Sequence, residues 1–213
     1  MKPIVYWGAT GQAKVLWEFA ESIGFRLTAL FENNFEVKSP FSEIPIYYGE
    51  AGFKNWLSNQ SGKIFGLAAI GGGNGKIRLE IQKMFSENNI EIPIAVHPTA
   101  FVAKNARISE GCQILAQSSV CAEVVMGKSC IINTSASVDH ECKLGDGVHI
   151  APGAVLAGCV EVGDFSFVGI GAAVLPRIKI GSKVIIGAGS VVTKDIESGT
   201  VAYGNPARHI RQI

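Results

Sequence analysis

The stretch INTSASVDHECKLGDGVHIA, residues 132–151, places an aliphatic residue at every sixth position: Ile132, Val138, Leu144 and Ile150. The beat continues in both directions. Upstream it passes through Met126, Val120, Ile114 and Ile108 to Val102, and downstream through Leu156, Val162, Val168, Val174, Ile180 and Ile186 to Val192. The residue after each head is mostly small or acidic (Gly127, Asp139, Gly145, Gly163, Gly169, Gly181, Gly187). The fourth residue after it is usually small or a modest aliphatic (Ala106, Cys112, Ser118, Cys130, Ala136, Ala154, Ala172, Ser190). A helix needs apolar spacings of three and four, and an amphipathic strand needs two. A period of six satisfies neither. It suits a coil of short strands in which each straight run buries one large and one small side chain.

This pattern resembles the hexapeptide repeat of left-handed parallel β-helices, in which three hexads make one triangular coil. The resemblance implies that residues eighteen apart stack, giving the ladder Val102, Val120, Val138, Leu156, Val174, Val192. At roughly 4.7–4.9 Å between neighbouring strands, the coils make a prism about 25 Å tall. Its core is a column of branched side chains, each coil covering the next.

The remaining sequence narrows the class. A chain of 213 residues makes one large domain or two small ones. With 47% apolar and 17% charged residues, it has ample material for a core and is unlike a disordered chain. A net charge of +1 gives no bulk attraction to nucleic acid or an anionic membrane. No apolar run reaches the length of a membrane span, and Met1-Lys2-Pro3 leads into a strand pattern without a signal peptide's apolar region. The five cysteines, at 112, 121, 130, 142 and 159, lie inside the repeat with no C-x-x-C pair. They read as buried core thiols of a cytoplasmic protein, not as a disulfide frame.

Before the repeat, strand patterns alternate with helical ones: strands over residues 4–7, 26–31, 44–48, 63–70 and 90–96, helices beginning after Gly11 and over 50–58 and 76–88. The expectation is a small Rossmann-like α/β domain, residues 1–97, followed by the all-β prism, residues 98–213, with the boundary at Pro98. Gly8-x-x-Gly11 lies between the first strand and its helix, where backbone N–H groups can hold phosphate. The full dinucleotide fingerprint is absent, so the turn fits either a ligand or a plain tight connection. Glu32, at the end of the second strand, stands where an acid meets ribose hydroxyls, and Gly71 to Gly73 end a further strand at the same sheet edge. Three converging strand ends point to a mononucleotide site.

His140-Glu141 lies two and three residues past a buried aliphatic, on a turn facing outward. A histidine beside a carboxylate can take a proton from an attacking nucleophile. The layout as a whole resembles bacterial N-acetyltransferases acting on nucleotide-linked 4-amino-6-deoxy sugars. The match is close through Ile132-Asn133-Thr134, His140-Glu141-Cys142 and Gly147-Val148-His149. The resemblance implies that His140 is the general base and that Glu141 raises its basicity. It puts His149 on the acetyl thioester and gives Ile170 and Ala188 to acetyl-CoA through the backbone. The nucleotide-linked aminosugar falls to Thr10, Gly11, Gln12, Glu32, Asn33 and Gly71, with Asn133. Many relatives have histidine where this chain has Gln12. Tyr203-Gly204-Asn205-Pro206-Ala207-Arg208 is similar to the family's closing turn, where Arg208 is either a clamp on coenzyme phosphates or part of a solvated basic tail.

The sequence also admits other readings. One is O-acetylation of a sialic acid-type sugar, which feeding amino and hydroxy sugars would separate. A zinc enzyme of the γ-carbonic anhydrase kind needs three histidines per site, and the repeat holds only His140 and His149. A binding scaffold leaves the exposed His-Glu pair without a purpose. His140 and His149 are separated by the hexad of Leu144, which implies different corners of one triangle, up to roughly 20 Å apart. Both can touch one substrate only if prisms share the site, and a closed homotrimer achieves that.

Overall fold

The computed structural model describes residues 1–213. It opens with a four-stranded, all-parallel sheet: β1 (Lys2–Trp7), β2 (Phe25–Glu32), β3 (Ile46–Tyr48) and β4 (Phe65–Ala68), in spatial order β3-β2-β1-β4. Helix α1 (Gly11–Ala20) follows β1, α2 (Gly49–Leu57) follows β3, and α3 (Gly75–Glu87) follows β4. Alternation along β1 divides the two faces. Ile4 and Tyr6 join Leu16, Phe19 and Leu67 in one core, while Val5 and Trp7 join Phe31, Phe53, Trp56 and Phe85 in the other.

From residue 95 onward, two-residue strands recur every six residues and wind into the left-handed prism. Its first face stacks Ala95–Val96, Gln113–Ile114, Ile131–Ile132, His149–Ile150, Phe167–Val168 and Ile185–Ile186. The second runs from Phe101–Val102 to Val191–Val192, the third from Arg107–Ile108 to Lys179–Ile180. The ladder expected from the sequence is in register throughout: Val102 pairs with Val120, Val120 with Val138, Val138 with Leu156, Leu156 with Val174 and Val174 with Val192. From Ile114 onward every head is buried, and Val102 and Ile108, in the first coil, pack partly buried against the same core. Each fully buried aliphatic of this kind contributes about 1.5–3 kcal/mol.

The corners explain the rest of the hexad. Three residues past every head from Ile108 to Ile186 the chain enters the left-handed region, at Gln117, Glu123, Ser129, Ser135, Glu141, Cys159, Phe165, Arg177 and Lys183, and at glycines 111, 147, 153, 171 and 189. That conformation costs a non-glycine residue about 1–2 kcal/mol, and the stacking of neighbouring coils offsets it.

Three details depart from the sequence reading. Residues 90–96 do not form one strand of the α/β sheet. Glu91 makes a single bridge to Phe65, and Ala95–Val96 pairs instead with Gln113–Ile114 as the first rung of the prism. The buried stripe of α3 runs Gly75, Arg78, Ile81, Gln82 and Phe85, leaving Ile77 at 44% exposure. Of the five free cysteines, Cys112, Cys130 and Cys142 are core thiols, whereas Cys121 and Cys159 sit half-exposed at a corner.

The first face of the prism lies against the α/β unit. Ala95, Leu115 and Ile131 are buried in the same cluster as Ile4, Tyr6, Phe19 and Leu67, so the two parts share a core. Arg78 fastens them. Fully buried, it donates from Nε to the Ser129 carbonyl (2.9 Å) and from Nη2 to that of Gly147 (2.8 Å), both on the prism. Nη1 reaches the carbonyls of Ile70 (3.2 Å) and Gly72 (3.3 Å). Burial lowers the guanidinium pKa to about 10. Gly75 and Gly147 approach so closely that a methyl on either would collide with the other's backbone.

Candidate active site

The exposed corner between the second and third faces carries the first constellation. Asp139 accepts the His140 N–H (2.7 Å) and so fixes the turn. His140 Nδ1 lies 3.0 Å from Glu141 Oε2. Since a carboxylate only accepts, the ring is held with Nδ1–H toward Glu141 and a free lone pair on Nε2. One coil on, Gly158 lies under the ring, and any side chain there would collide with it. The Cys159 thiol also donates to Glu141 Oε2, at 3.7 Å. These two bonds, His140 first, hold the Glu141 carboxyl below its usual range.

The second constellation gathers where the α/β unit meets the prism. Thr10, Gly11, Glu32, Asn33 and Gly71 lie at or just beyond the carboxyl ends of β1, β2 and β4. Glu32 Oε2 accepts the Ala9 N–H (3.2 Å), and Oε1 accepts those of Asn33 (2.8 Å) and Asn34 (3.3 Å). Nothing lies within 4 Å of where a Gly11 side chain would stand, which leaves the first turn of α1 open. Gln12 donates to Gln113 Oε1 (2.6 Å), and the buried Gln113 donates to the Ala68 carbonyl (2.8 Å).

His149 belongs to this second group and not to a corner. It is the first residue of a strand on the docked face, only 4% exposed, with Phe167 set edge-on against its ring. Nδ1 lies 3.0 Å from the Gly72 carbonyl and Nε2 3.0 Å from Asn133 Nδ2. The ring is therefore neutral, donating from Nδ1 and accepting at Nε2. Burial lowers its pKa to about 4, with the nearby Arg78 charge acting in the same direction and the Gly72 bond opposing both.

Asn133, Ile170 and Ala188 line the corner between the first and second faces, and both Ile170 and Ala188 are exposed. The C-terminal hairpin, Thr200–Gly204 with Ala207–Gln212, extends the first face past Ile185–Ile186 and carries exposed Arg208. Gly204 N–H donates to Ser190 Oγ (3.2 Å), which ties the hairpin turn to that same edge. One chain thus brings together the β1, β2 and β4 ends, Asn133, His149 and the Ile170–Ala188 edge. His140 and Glu141 lie across the second face, on another edge. That face presents Phe101, Ser119, Ser137, Val155, Ala173 and Val191 outward, with no charge among them, whereas the third presents Arg107, Lys143, Glu161 and Lys179. Arg78 and the docking of His149 escaped the sequence reading. The stripe through Ile81 and Phe85, continued toward the helix N-terminus, would have placed Arg78 on the buried side.

The bacterial transferase hexapeptide family model (six repeats) matches residues 123–158 and 159–194. Perosamine N-acetyltransferase from Caulobacter crescentus, a variant solved with CoA and GDP-perosamine, superposes with a TM-score of 0.90 at 30% identity, covering 100% of this chain and 98% of that one. The chain belongs to the hexapeptide-repeat nucleotide-sugar N-acetyltransferases. A second member, the acetyltransferase domain of PglB from Neisseria gonorrhoeae, matches at 31% identity and TM-score 0.86 over 99% of this chain and all of that domain. It has also been solved with acetyl coenzyme A, at the same identity and TM-score. WeeI from Acinetobacter baumannii, at 21% identity and TM-score 0.81, shares the fold over 99% of this N-acetyltransferase-family chain and 100% of its own. No curated protein matches this chain.

Proposed function

We propose that this protein transfers the acetyl group of acetyl-CoA to the amine of a nucleotide-linked 4-amino-4,6-dideoxy sugar, with His140 as general base. The observation that carries the reading is the 3.0 Å contact between His140 Nδ1 and Glu141 Oε2 at an exposed corner. Held in that tautomer, Nε2 takes a proton from the amine as nitrogen attacks the thioester carbon. A backbone N–H steadies the oxyanion, and the CoA sulfur departs with the proton. Glu141 stabilises the imidazolium that forms between the two proton transfers.

In this reading, residues 1–97 hold the nucleotide-sugar, with Thr10, Gly11, Gln12, Glu32, Asn33 and Gly71 along the sheet edge and Asn133 beside them. Residues 98–213 supply catalysis and the coenzyme edge, with Ile170 and Ala188 contacting acetyl-CoA through the backbone and Arg208 facing its phosphates. His149, held by Gly72 and Asn133, stands between the nucleotide end and the coenzyme edge, where it contacts the acetyl thioester.

The two edges are separated by the uncharged second face. Packing that face against a neighbouring prism around a threefold axis brings His140 of one chain to the Ile170–Ala188 edge of the next, and the head-to-tail contact closes as a homotrimer. We place the enzyme in the cytoplasm, where acetyl-CoA and nucleotide-sugars are both supplied. The test is direct. The purified protein is given acetyl-CoA with UDP-, GDP- and dTDP-linked 4-amino sugars and their 4-hydroxy counterparts, and the products are weighed by mass spectrometry. Acetylation of a 4-amino sugar alone supports the reading, and acetylation of hydroxy sugars alone refutes it.

A further inference from the structure

Cys159 is a residue the proposed reaction does not use, yet it stands one coil away from the pair that does. Its Sγ lies 3.7 Å from Glu141 Oε2, which lies 3.0 Å from His140 Nδ1. The donor atoms of these three side chains all fall within 4.8 Å of one another. A tetrahedral zinc ion, with ligand bonds of about 2.0–2.3 Å, sets its donors roughly 3.3–3.7 Å apart. Two of the three spacings already approach this, and half-exposed side chains can close the third. One imidazole, one carboxylate and one thiolate form a donor set for zinc and its chemical neighbours, not for magnesium or calcium.

We propose that this corner is an inhibitory site for a zinc-type divalent ion, acting on the base assigned above and resting on that assignment for its effect. The ion takes the place of the proton that His140 Nδ1 shares with Glu141. A neutral imidazole bound to metal through Nδ1 must carry its one proton on Nε2, so the lone pair that would accept the amine's proton is gone. The imidazole keeps one proton, moved from Nδ1 to Nε2. The thiol gives up its own, so one proton is released per ion bound and no redox change occurs. Arg177 stands in the next coil of the same column, near enough to lower the Glu141 pKa by its charge. The same charge opposes the ion, and removing it strengthens binding.

Cobalt(II) serves as the probe, titrated into the reduced full-length protein with no coenzyme present, because free CoA is itself a thiol ligand. One ion per chain is expected, with a thiolate-to-cobalt absorption band and intense visible bands of a tetrahedral centre. Both are lost in Cys159→Ser and in His140→Ala. In parallel, zinc is titrated against initial rates of product formation, each variant referred to its own metal-free rate. Cys159→Ser should raise the half-inhibiting concentration at least about tenfold, Arg177→Ala should lower it, and magnesium should do nothing. Absence of the thiolate band, or inhibition indifferent to Cys159→Ser, overturns the site and leaves the base assignment standing. Binding that needs Cys159 and His140 yet leaves turnover intact overturns the inhibition and the base assignment together.

Discussion

Protonating His149 should loosen the joint between the α/β unit and the prism, and its size can be worked out. The folded protein holds this ring near pKa 4, while an unfolded histidine titrates near 6.5. Because the folded value is depressed, the unfolded chain binds the proton first. The stabilisation is complete above about pH 6.5 and is lost as the pH falls toward 4. A difference of about 2.5 units corresponds to about 3 kcal/mol in full, of which about 2 kcal/mol is gone by pH 5. The ring is nearly inaccessible, so solvent screening does not discount this. Urea unfolding followed by tryptophan fluorescence at pH 8, 6 and 5 measures it against His149→Gln. Glutamine still offers an N–H to Gly72 and an oxygen to Asn133 but cannot be protonated. The wild type should lose about 2 kcal/mol more than the variant between pH 8 and 5, since groups common to both cancel in the difference. Equal losses would refute the reasoning.

Three other expectations concern catalysis, the joint and the assembly. His140→Ala should lower turnover by about 10²–10⁴ with acetyl-CoA affinity by calorimetry near wild type, and Glu141→Gln should lower it less. Arg78→Leu leaves the Ser129 and Gly147 carbonyls without their guanidinium donor, at about 1–3 kcal/mol each. It should lower the urea midpoint more than Arg26→Leu does at its exposed site. His140→Ala and Ala188→Trp chains, each inactive alone, should regain activity when unfolded and refolded together, since a mixed assembly can pair an intact His140 edge with an intact coenzyme edge. A mixture that stays inactive despite verified mixed oligomers would place the site within one chain.

What could be read from the sequence follows from how far each constraint reaches along it. The prism declares itself because every coil repeats the same demand for a large head, a small partner and a left-handed corner. His140 and Glu141 stood out for a related reason: nothing in that repeat asks for them. The α/β elements were visible through their own short periods. The joint was not. Arg78 meets acceptors 51 and 69 residues away, and His149 meets Gly72 across 77. The helical period could mark Arg78 as buried, but no period names a partner that far along the chain. The misassigned strand at residues 90–96 has the same origin, because an apolar run cannot say which sheet it will pair with. Cys121 and Cys159 were misplaced for a simpler reason: a cysteine fits both the small buried slot and the corner.

The left-handed corner every sixth residue also sets rules for how such a chain can change length. Adding eighteen residues between His149 and Ile170 inserts one whole coil. Every later residue keeps its edge and moves up by one rung, roughly 4.8 Å. Adding six instead advances every later residue by a third of a circuit. Ile170 and Ala188 would then leave their edge for the one His140 occupies, while each inserted hexad could still bury its head. Such a protein would fold, stack and look intact by any spectroscopic measure, yet its coenzyme contacts would face the wrong neighbour. Lengthening in this fold is therefore quantised: the core accepts steps of six, but only steps of eighteen leave each later residue on its own edge.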